Sequence, residues 1–464
     1  MMQQTPPVLD AVLTSGTRHI DVKARFASAH SILVEVEDGI GEDIEGLSLR
    51  MDGKTIDLGP CRLIREPLLS DPLRRAIPAC TMFDFRSLFF RAHVESITAE
   101  SLGLTLMLRY KDDIDPSFKN YVTDITYDIN TYKNRLDRLD AENENEPANV
   151  REVVENHILN GMGAKLMTYL DTRLDDLKNI TRNFNAIEHE HHGFYFRRQL
   201  WNVLLNVPIM ARTNLKPRGY AGDAEMMRMI YQNGYEGDSM FGRILHKHAM
   251  AQPAAQAVRN RRASLANTFH AHVNAPAHQG TGTIRVLSVA CGPAYEIGDI
   301  LRTPDDAARI HFSLLDQDQQ ALVEADCMVR TIEKTIGVPV AADFIRESVR
   351  TMLSSDKLMQ QWGSFHFIYS MGLFDYLTAP TAAAVLKKLY HLLKPGGKAV
   401  IGNFRVDNPS RYFMEYWLDW KIILRSEDEL MQLAAGIPGA EVSAHCDDTN
   451  IQLFLHIKKP ADAG

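Results

Sequence analysis

The stretch Val286-Leu-Ser-Val-Ala-Cys-Gly-Pro-Ala-Tyr-Glu296 constrains the fold more than any other part of the chain. Its first half reads as a strand buried on both faces. The small residues that follow let backbone amides approach a ligand closely, ahead of a helix N-terminus. The chain then continues the pattern. His311-Phe-Ser-Leu-Leu-Asp316 reads as a second strand ending in an acid. Phe365 to Tyr376 reads as another strand, running into a Ser-Met-Gly turn. Lys394-Pro-Gly-Gly397 closes a helix ahead of the strand Ala399-Val-Ile-Gly-Asn-Phe404. Strand, small turn, helix, strand and acid, in that order, specify an α/β sheet that holds a nucleoside.

A dinucleotide site uses the same strand and a similar turn, but needs room for a pyrophosphate over a Gly-x-Gly-x-x-Gly helix start. Here a single glycine is followed by proline, and Glu296 stands where a pyrophosphate would be repelled. A hydride-transferring dehydrogenase is therefore disfavoured. Asp316 is the most specific single residue, because a carboxylate at the end of the second strand accepts hydrogen bonds from both hydroxyls of a ribose.

These residues give a resemblance. The segment from Thr283 to Lys459 resembles a class I S-adenosylmethionine-dependent methyltransferase, through the turn after the first strand, Asp316, the Ile368–Tyr376 segment and the Lys-Pro-Gly-Gly turn. The family's first turn usually carries three glycines and begins near an acid, whereas Ser288, Ala290, Gly292 and Ala294 stand at those positions here. The resemblance implies donor contacts from Ala290, Cys291, Gly292, Glu296, Asp316 and Gln317. It places Asp343 at the adenine, after the apolar run Gly337–Ala342, with Ser370 and Met371 beside the donor methyl. It turns Asp375 and Tyr376 toward the acceptor.

Length and composition bound the rest. A chain of 464 residues is expected to form roughly three domains. These are residues 1–115, a small β barrel; 116–278, a helical cap; and 279–464, the Rossmann-like methyltransferase domain. In the first, short alternating segments at Ser31–Glu37, Gly46–Met51, Lys54–Gly59 and Leu102–Leu108 read as strands. The run Asp43-Ile-Glu-Gly-Leu-Ser-Leu resembles a PilZ domain whose arginine pair and Asp-x-Ser-x-x-Gly strand are not intact. In the second, Ile129–Leu139 and Leu166–Ile187 show helical spacing, with Asp140–Pro147 expected as an exposed loop. A connector at Ala275–Thr283 leads into the sheet.

A net charge of −8 offers no footprint for nucleic acid. Five scattered cysteines form no Cys-x-x-Cys pair, so neither a disulfide framework nor a zinc knuckle is indicated. His189 and His192 share a helix face without a third convergent ligand, and read as a polar helix end rather than a metal site. The opening residues lack the pattern of a signal peptide and no run is long enough to span a bilayer, so a cytoplasmic protein without stable membrane insertion is expected.

Lys216-Pro-Arg-Gly-Tyr-Ala-Gly-Asp223 reads as a fixed irregular loop. The helix after it, with Arg259-Asn-Arg-Arg262, resembles a region attached to methyltransferases of 3-hydroxypalmitic acid methyl ester biosynthesis. That resemblance implies that Tyr220 and Asp223 border the active site. A loop whose tyrosine and aspartate only tie helices together fits the residues equally well. The methionines 226, 227 and 229 and the aromatics from Tyr412 to Trp420 read as core, with the aromatic helix also able to wall an acyl chain.

The expected reaction is methyl transfer to an oxygen of a small or lipid acceptor, such as the carboxylate of a 3-hydroxy fatty acid. A carboxylate is already ionised and needs no strong base, whereas a hydroxyl acceptor would require one, from Asp223 or a cap histidine. The competing reading is a non-catalytic signalling protein with a sensory β domain and a donor site lost through the altered turn. A homodimer is compatible with either.

Overall fold

The computed structural model describes residues 8–28, 31–36, 39–51, 54–65, 73–78, 111–275 and 282–461. The chain separates into two compact units, Met1–Asp113 and Ile114–Gly464.

In the first unit, strands β1 (Val8–Ser15), β2 (Arg18–Ser28), β3 (Ser31–Glu35), β4 (Asp43–Ile44), β5 (Gly46–Met51), β6 (Lys54–Asp57), β7 (Cys61–Ile64) and β8 (Leu73–Pro78) form one sheet. Their order is β4-β7-β8-β3-β2-β1-β5-β6. Alternation builds its core: Leu9, Ala11 and Leu13 of β1 cluster with Ala24 of β2 and with Leu47 and Leu49 of β5. Among the described residues the strand order is open, with β4 and β6 at its ends, so the expected barrel is not shown. Between β4 and β5 the Glu45 amide still donates to the Thr14 carbonyl at 3.0 Å. The strands β1 and β2 lie ahead of Ser31–Glu37, the first segment read as a strand, and Leu102–Leu108 falls outside the described residues.

The second unit begins with helices α1 (Pro116–Asn143), α2 (Ala148–Ile158), α3 (Ala164–Thr181), α4 (Ala186–Gln199), α5 (Trp201–Leu204), α6 (Pro208–Leu215), α7 (Ala224–Gln232), α8 (Met240–Ala251) and α9 (Pro253–Val273). Local grammar starts them: Asp115 accepts from the Phe118 amide with proline at the first position of α1, and Asn185 and Glu188 form a capping box on α4. Apolar stripes join them. Phe118, Ile125, Ile129 and Leu136 of α1 share a core with Leu166 and Leu170 of α3 and with Leu245 of α8. The expected loop at Asp140–Pro147 is shorter than read, because α1 continues to Asn143. Asp140 accepts from the Met240 amide at 2.8 Å, which ties that end of the helix to the start of α8.

The sheet of this unit contains β9 (Ile284–Val289), β10 (Ile310–Asp316), β11 (Ala341–Arg346), β12 (Phe365–Ser370), β13 (Leu393–Phe404), β14 (Glu441–Cys446) and β15 (Gln452–Lys458). The order is β11-β10-β9-β12-β13-β15-β14, with β15 antiparallel to both of its neighbours. The five parallel strands pack on both faces. One face meets Phe269 of α9 with Leu322 and Val329, and the other meets Val385, Leu389 and Leu430. Strand order reverses between β9 and β12, so a crevice opens beyond their carboxyl ends. Tyr416 and Trp417, in a π-helical segment after β13, are buried in the helical core rather than in the sheet.

Candidate active site

The crevice at the reversal point is a cavity of about 470 Å³, within the size range of small-molecule sites. Its floor is the turn after β9. Ala290, Gly292 and Ala294 all have left-handed backbone, with φ of 54°, 53° and 53°. Two of these three positions thus carry a methyl group where glycine would sit without strain, at a cost of about 1–2 kcal/mol each. The turn keeps its shape because it is tied to the next strand. The Cys291 amide donates to the Leu315 carbonyl at 3.0 Å, and the Gly292 amide donates to Asp316 Oδ2 at 2.9 Å. A side chain at Gly292 would extend into open space, which leaves the peptide accessible to a ligand.

Asp316 is buried, and its other oxygen accepts from the Asp318 amide at 2.9 Å. Burial pushes its carboxyl above the ordinary value, while the amides of Asp318 and Gly292 hold it down. Each oxygen retains an acceptor direction for a hydroxyl. Asp318 caps the following helix through the Gln320 amide, so the end of β10 is fixed on both sides.

Glu296 is buried under the turn and accepts from the Tyr369 hydroxyl at 2.8 Å. Burial raises its pKa. Facing the same cavity, Arg261 of α9 donates to the Met371 carbonyl at 2.9 Å and contacts the Tyr231 hydroxyl at 3.3 Å. The Arg261 Nε is buried with no partner among the described residues. A buried guanidinium with an unmatched donor, opposite a buried carboxylate, is a fitting receptor for a zwitterion.

The remaining wall carries Asp375, Tyr376 and Trp420. Asp375 Oδ1 accepts from the Phe404 amide at 2.7 Å. Burial pushes its carboxyl up to about 7, against the pull of that amide and of Arg261 and Arg425. The Tyr376 hydroxyl accepts from Trp420 Nε1 at 2.7 Å and from the Gly222 amide. A Cβ on Gly222 would stand 2.4 Å from that oxygen, so a larger residue there would displace the Tyr376 hydroxyl. With both lone pairs engaged, the hydroxyl keeps its proton to donate elsewhere.

The structure brings most of the expected residues together. Tyr220, Ala290, Cys291, Gly292, Glu296, Asp316, Gln317, Met371, Asp375 and Tyr376 all line this cavity. Three others do not. Asp343 lies in the middle of β11, paired in register with Ser313, and its carboxylate meets His311 Nε2 at 2.8 Å. The strand runs from Ala341 to Arg346 rather than over Gly337–Ala342, so the residues beyond its end that reach the cavity are Glu347, Ser348 and Val349. Ser370 is buried behind the cavity, its hydroxyl donating to the Val289 carbonyl at 2.8 Å.

Asp223 is fully buried, caps α7 through the Met226 amide, and receives Arg212 Nε at 2.7 and 2.9 Å and Nη2 at 2.7 Å. Its oxygens are saturated, so it shapes the loop and is not available to a substrate. The loop itself is clamped to the helix that follows β10 by Arg218, which bridges Asp318 at 3.2 Å and Glu324 at 2.6 Å. Burial raises the Tyr220 hydroxyl, with Asp316 and Asp318 adding to the shift.

His189 and His192 both pack on Phe184 but have separate hydrogen-bond partners. His189 meets the Tyr416 hydroxyl at 2.9 Å, while His192 meets the Glu188 carbonyl and the Asp115 amide. No group of metal-ligating side chains exists among the described residues, and no described helix is long and apolar enough to cross a membrane.

No protein-family profile and no curated relative matches the chain. Several solved structures are similar over parts of it. A possible exported protein of Bordetella parapertussis matches 64% of this chain and 97% of its own, at 15% identity and a TM-score of 0.41. An O-methyltransferase family protein of Burkholderia thailandensis matches 61% and 76%, at 13% identity and 0.34. The magnesium protoporphyrin IX methyltransferase of Synechocystis, solved with S-adenosylhomocysteine, matches 44% and 86%, at 11% identity and 0.33. Likenesses of this size leave the chemistry to be read from the site's own residues.

Proposed function

We propose that the chain is an S-adenosylmethionine-dependent methyltransferase acting on an oxygen nucleophile. One observation carries the reading: a turn with three left-handed positions at the strand-order reversal, bonded through Gly292 to a buried Asp316. Asp316 would hold the ribose hydroxyls, Glu347 and Ser348 the adenine edge, and Arg261 and Glu296 the carboxylate and ammonium of the methionine head. No pyrophosphate fits beside Glu296. When bound, the donor supplies a methyl group on a sulfonium for in-line displacement.

The protein's own contribution is then position and proton transfer. Tyr376, its hydroxyl proton free, orients the acceptor oxygen. Asp375, with a pKa of about 7, takes the proton from a hydroxyl acceptor as the new bond forms. The base that a hydroxyl acceptor needs is therefore supplied from the sheet and not by Asp223. The carboxylate of a 3-hydroxy fatty acid, the acceptor expected from the sequence, is opposed by the like charge of Glu296 and Asp375 and by the commitment of Arg261 to the donor. The non-catalytic reading loses its motive, because the turn keeps glycine-like geometry despite its alanines.

In the N-terminal unit, Arg25 pairs with Glu35 at 2.8 Å and Arg62 with Glu42 at 3.3 Å. These charges are already compensated. That supports a PilZ-like module with a packing role rather than a cyclic-dinucleotide site.

Calorimetry with S-adenosylmethionine tests the donor assignment. Asp316→Ala should weaken binding by about 2 kcal/mol, some thirtyfold, through loss of charge-assisted bonds. Equal affinity in a folded variant removes Asp316 from the site. Labelled donor incubated with a cell extract then shows whether the methyl group enters water-soluble acids, neutral small molecules or lipid.

A further inference from the structure

A second chamber, of about 450 Å³, adjoins the donor cavity. Gly219, Tyr220, Tyr376 and Trp420 line both spaces. They form a thin partition, held by the hydrogen bonds from Trp420 and Gly222 to the Tyr376 hydroxyl.

The two sides differ in charge. The inner cavity is dominated by Glu296, Asp316 and Asp375. In the outer chamber Arg197 and Lys216 share one carboxylate, Asp419, with contacts of 2.9 Å to Oδ1 and 2.5 Å to Oδ2. Lys421 adds a third cation and the exposed Glu190 a second acid. Arg197 is only 8% exposed, so its charge is poorly screened and one shared aspartate leaves the inner pair of cations half compensated. Asp419 itself holds left-handed backbone, with φ of 45°.

We propose that this outer chamber is the acceptor's anchoring subsite. It takes a small hydrophilic molecule through an anionic group, carboxylate or phosphate, set against Lys216 and Arg197, while the molecule's hydroxyl reaches past Tyr376 to the donor methyl. The inference rests on the methyl-transfer reading. In the step, the acceptor's O–H proton passes to Asp375, an O–CH₃ bond forms as the S–CH₃ bond breaks, and neutral S-adenosylhomocysteine is left. The five charged side chains of the chamber favour a polar acid over a long acyl chain, so the expected product is a methyl ether of a polar acid rather than a fatty ester.

Titrating the full chain with malonate and with inorganic phosphate, read by tryptophan fluorescence and calorimetry, tests the subsite apart from the donor. Saturable binding is expected. Lys216→Gln and Lys421→Gln should each weaken it by about tenfold or less, whereas Asp419→Asn, which frees both cations, should tighten it. Lys388→Gln, a charge change beside Asp356 on another surface, should leave it unchanged. S-adenosylmethionine affinity should be the same in all four. Absence of saturable binding to either anion, or an equal response from Lys388→Gln, overturns the subsite. Label appearing in the lipid fraction of the extract overturns the hydrophilic acceptor. Failure to bind S-adenosylmethionine with anion binding intact would instead strike the methyl-transfer reading, and with it the acceptor role, and leave the chamber an anion site.

Discussion

Replacing Asp375 by asparagine should trade activity for stability, and the two effects have opposite pH dependence. The carboxyl is 3% exposed and its pKa stands at about 7 in the fold, against an ordinary 3.8. A raised carboxyl pKa contributes stability that is complete below 3.8 and lost as pH rises through about 7. At about 1.4 kcal/mol per pH unit over that interval, the ionised form costs the fold up to about 4 kcal/mol at pH 8.

Asparagine keeps the oxygen that accepts from the Phe404 amide and never ionises. Asp375→Asn should therefore raise the melting temperature at pH 8, and the gain should vanish by about pH 4. Turnover should fall by about 10²–10⁴-fold, the usual worth of a general base. The wild-type rate should climb with pH toward a plateau above about 7, and that limb should be absent in the variant. Thermal melts at pH 4 and 8 beside a pH–rate profile decide the matter. A variant less stable at pH 8 than at pH 4, relative to wild type, refutes the buried-base account. So does a variant with full turnover.

Three further outcomes follow from the same coordinates. Asp223→Asn breaks the buried bidentate pair with Arg212 and should destabilise by about 3–5 kcal/mol, while turnover per folded molecule and donor affinity stay unchanged; a selective loss of turnover at unchanged melting temperature returns Asp223 to the active site. Ala290→Gly and Ala294→Gly relieve left-handed strain but loosen the unfolded chain, so stability should shift by less than about 1 kcal/mol and calorimetric donor affinity should hold; a large loss of affinity shows that the methyl groups matter. His246 is fully buried, neither ring nitrogen has a partner among the described residues, and burial lowers its pKa to about 4. A lowered histidine pKa means that stability falls as pH drops below 6.5, by up to about 3 kcal/mol near pH 4. His246→Leu should then raise the melting temperature more at pH 5 than at pH 8, and equal shifts at both would refute it.

What the sequence revealed and what it hid divide along a physical line. Asp316 was legible because its role depends on its own strand: an apolar run that stops at an acid places that acid at the strand's end. Asp343 failed by the same logic, since moving the third strand four residues along puts the aspartate in mid-ladder and hands the cavity to Glu347 and Ser348. Asp223 was ambiguous because an acid before an amphipathic run is also the signature of an N-cap, and only Arg212, eleven residues back, decides between the roles.

Arg261 and the base character of Asp375 depend on packing between a helix and a sheet more than a hundred residues apart. One local clue was nevertheless present. Arg261 continues the buried stripe Ala254, Ala257, Val258, Leu265 of α9, where a charge has no place unless a partner waits across the interface. The same test on α4 selects His192 and Arg197, beside the buried Phe196 and Gly193, and on α8 it selects His246 and His248. Of Arg261, Arg197 and His246, one faces the donor cavity, one the outer chamber, and the third has no hydrogen-bond partner among the described residues, whereas His192 and His248 are paired with the Asp115 amide and with Asp171. A polar group left unpaired or half-compensated on an apolar stripe thus marks either a site or a cost in stability. Substitution by an isosteric apolar residue separates the two, because the first should lose binding and the second should gain stability.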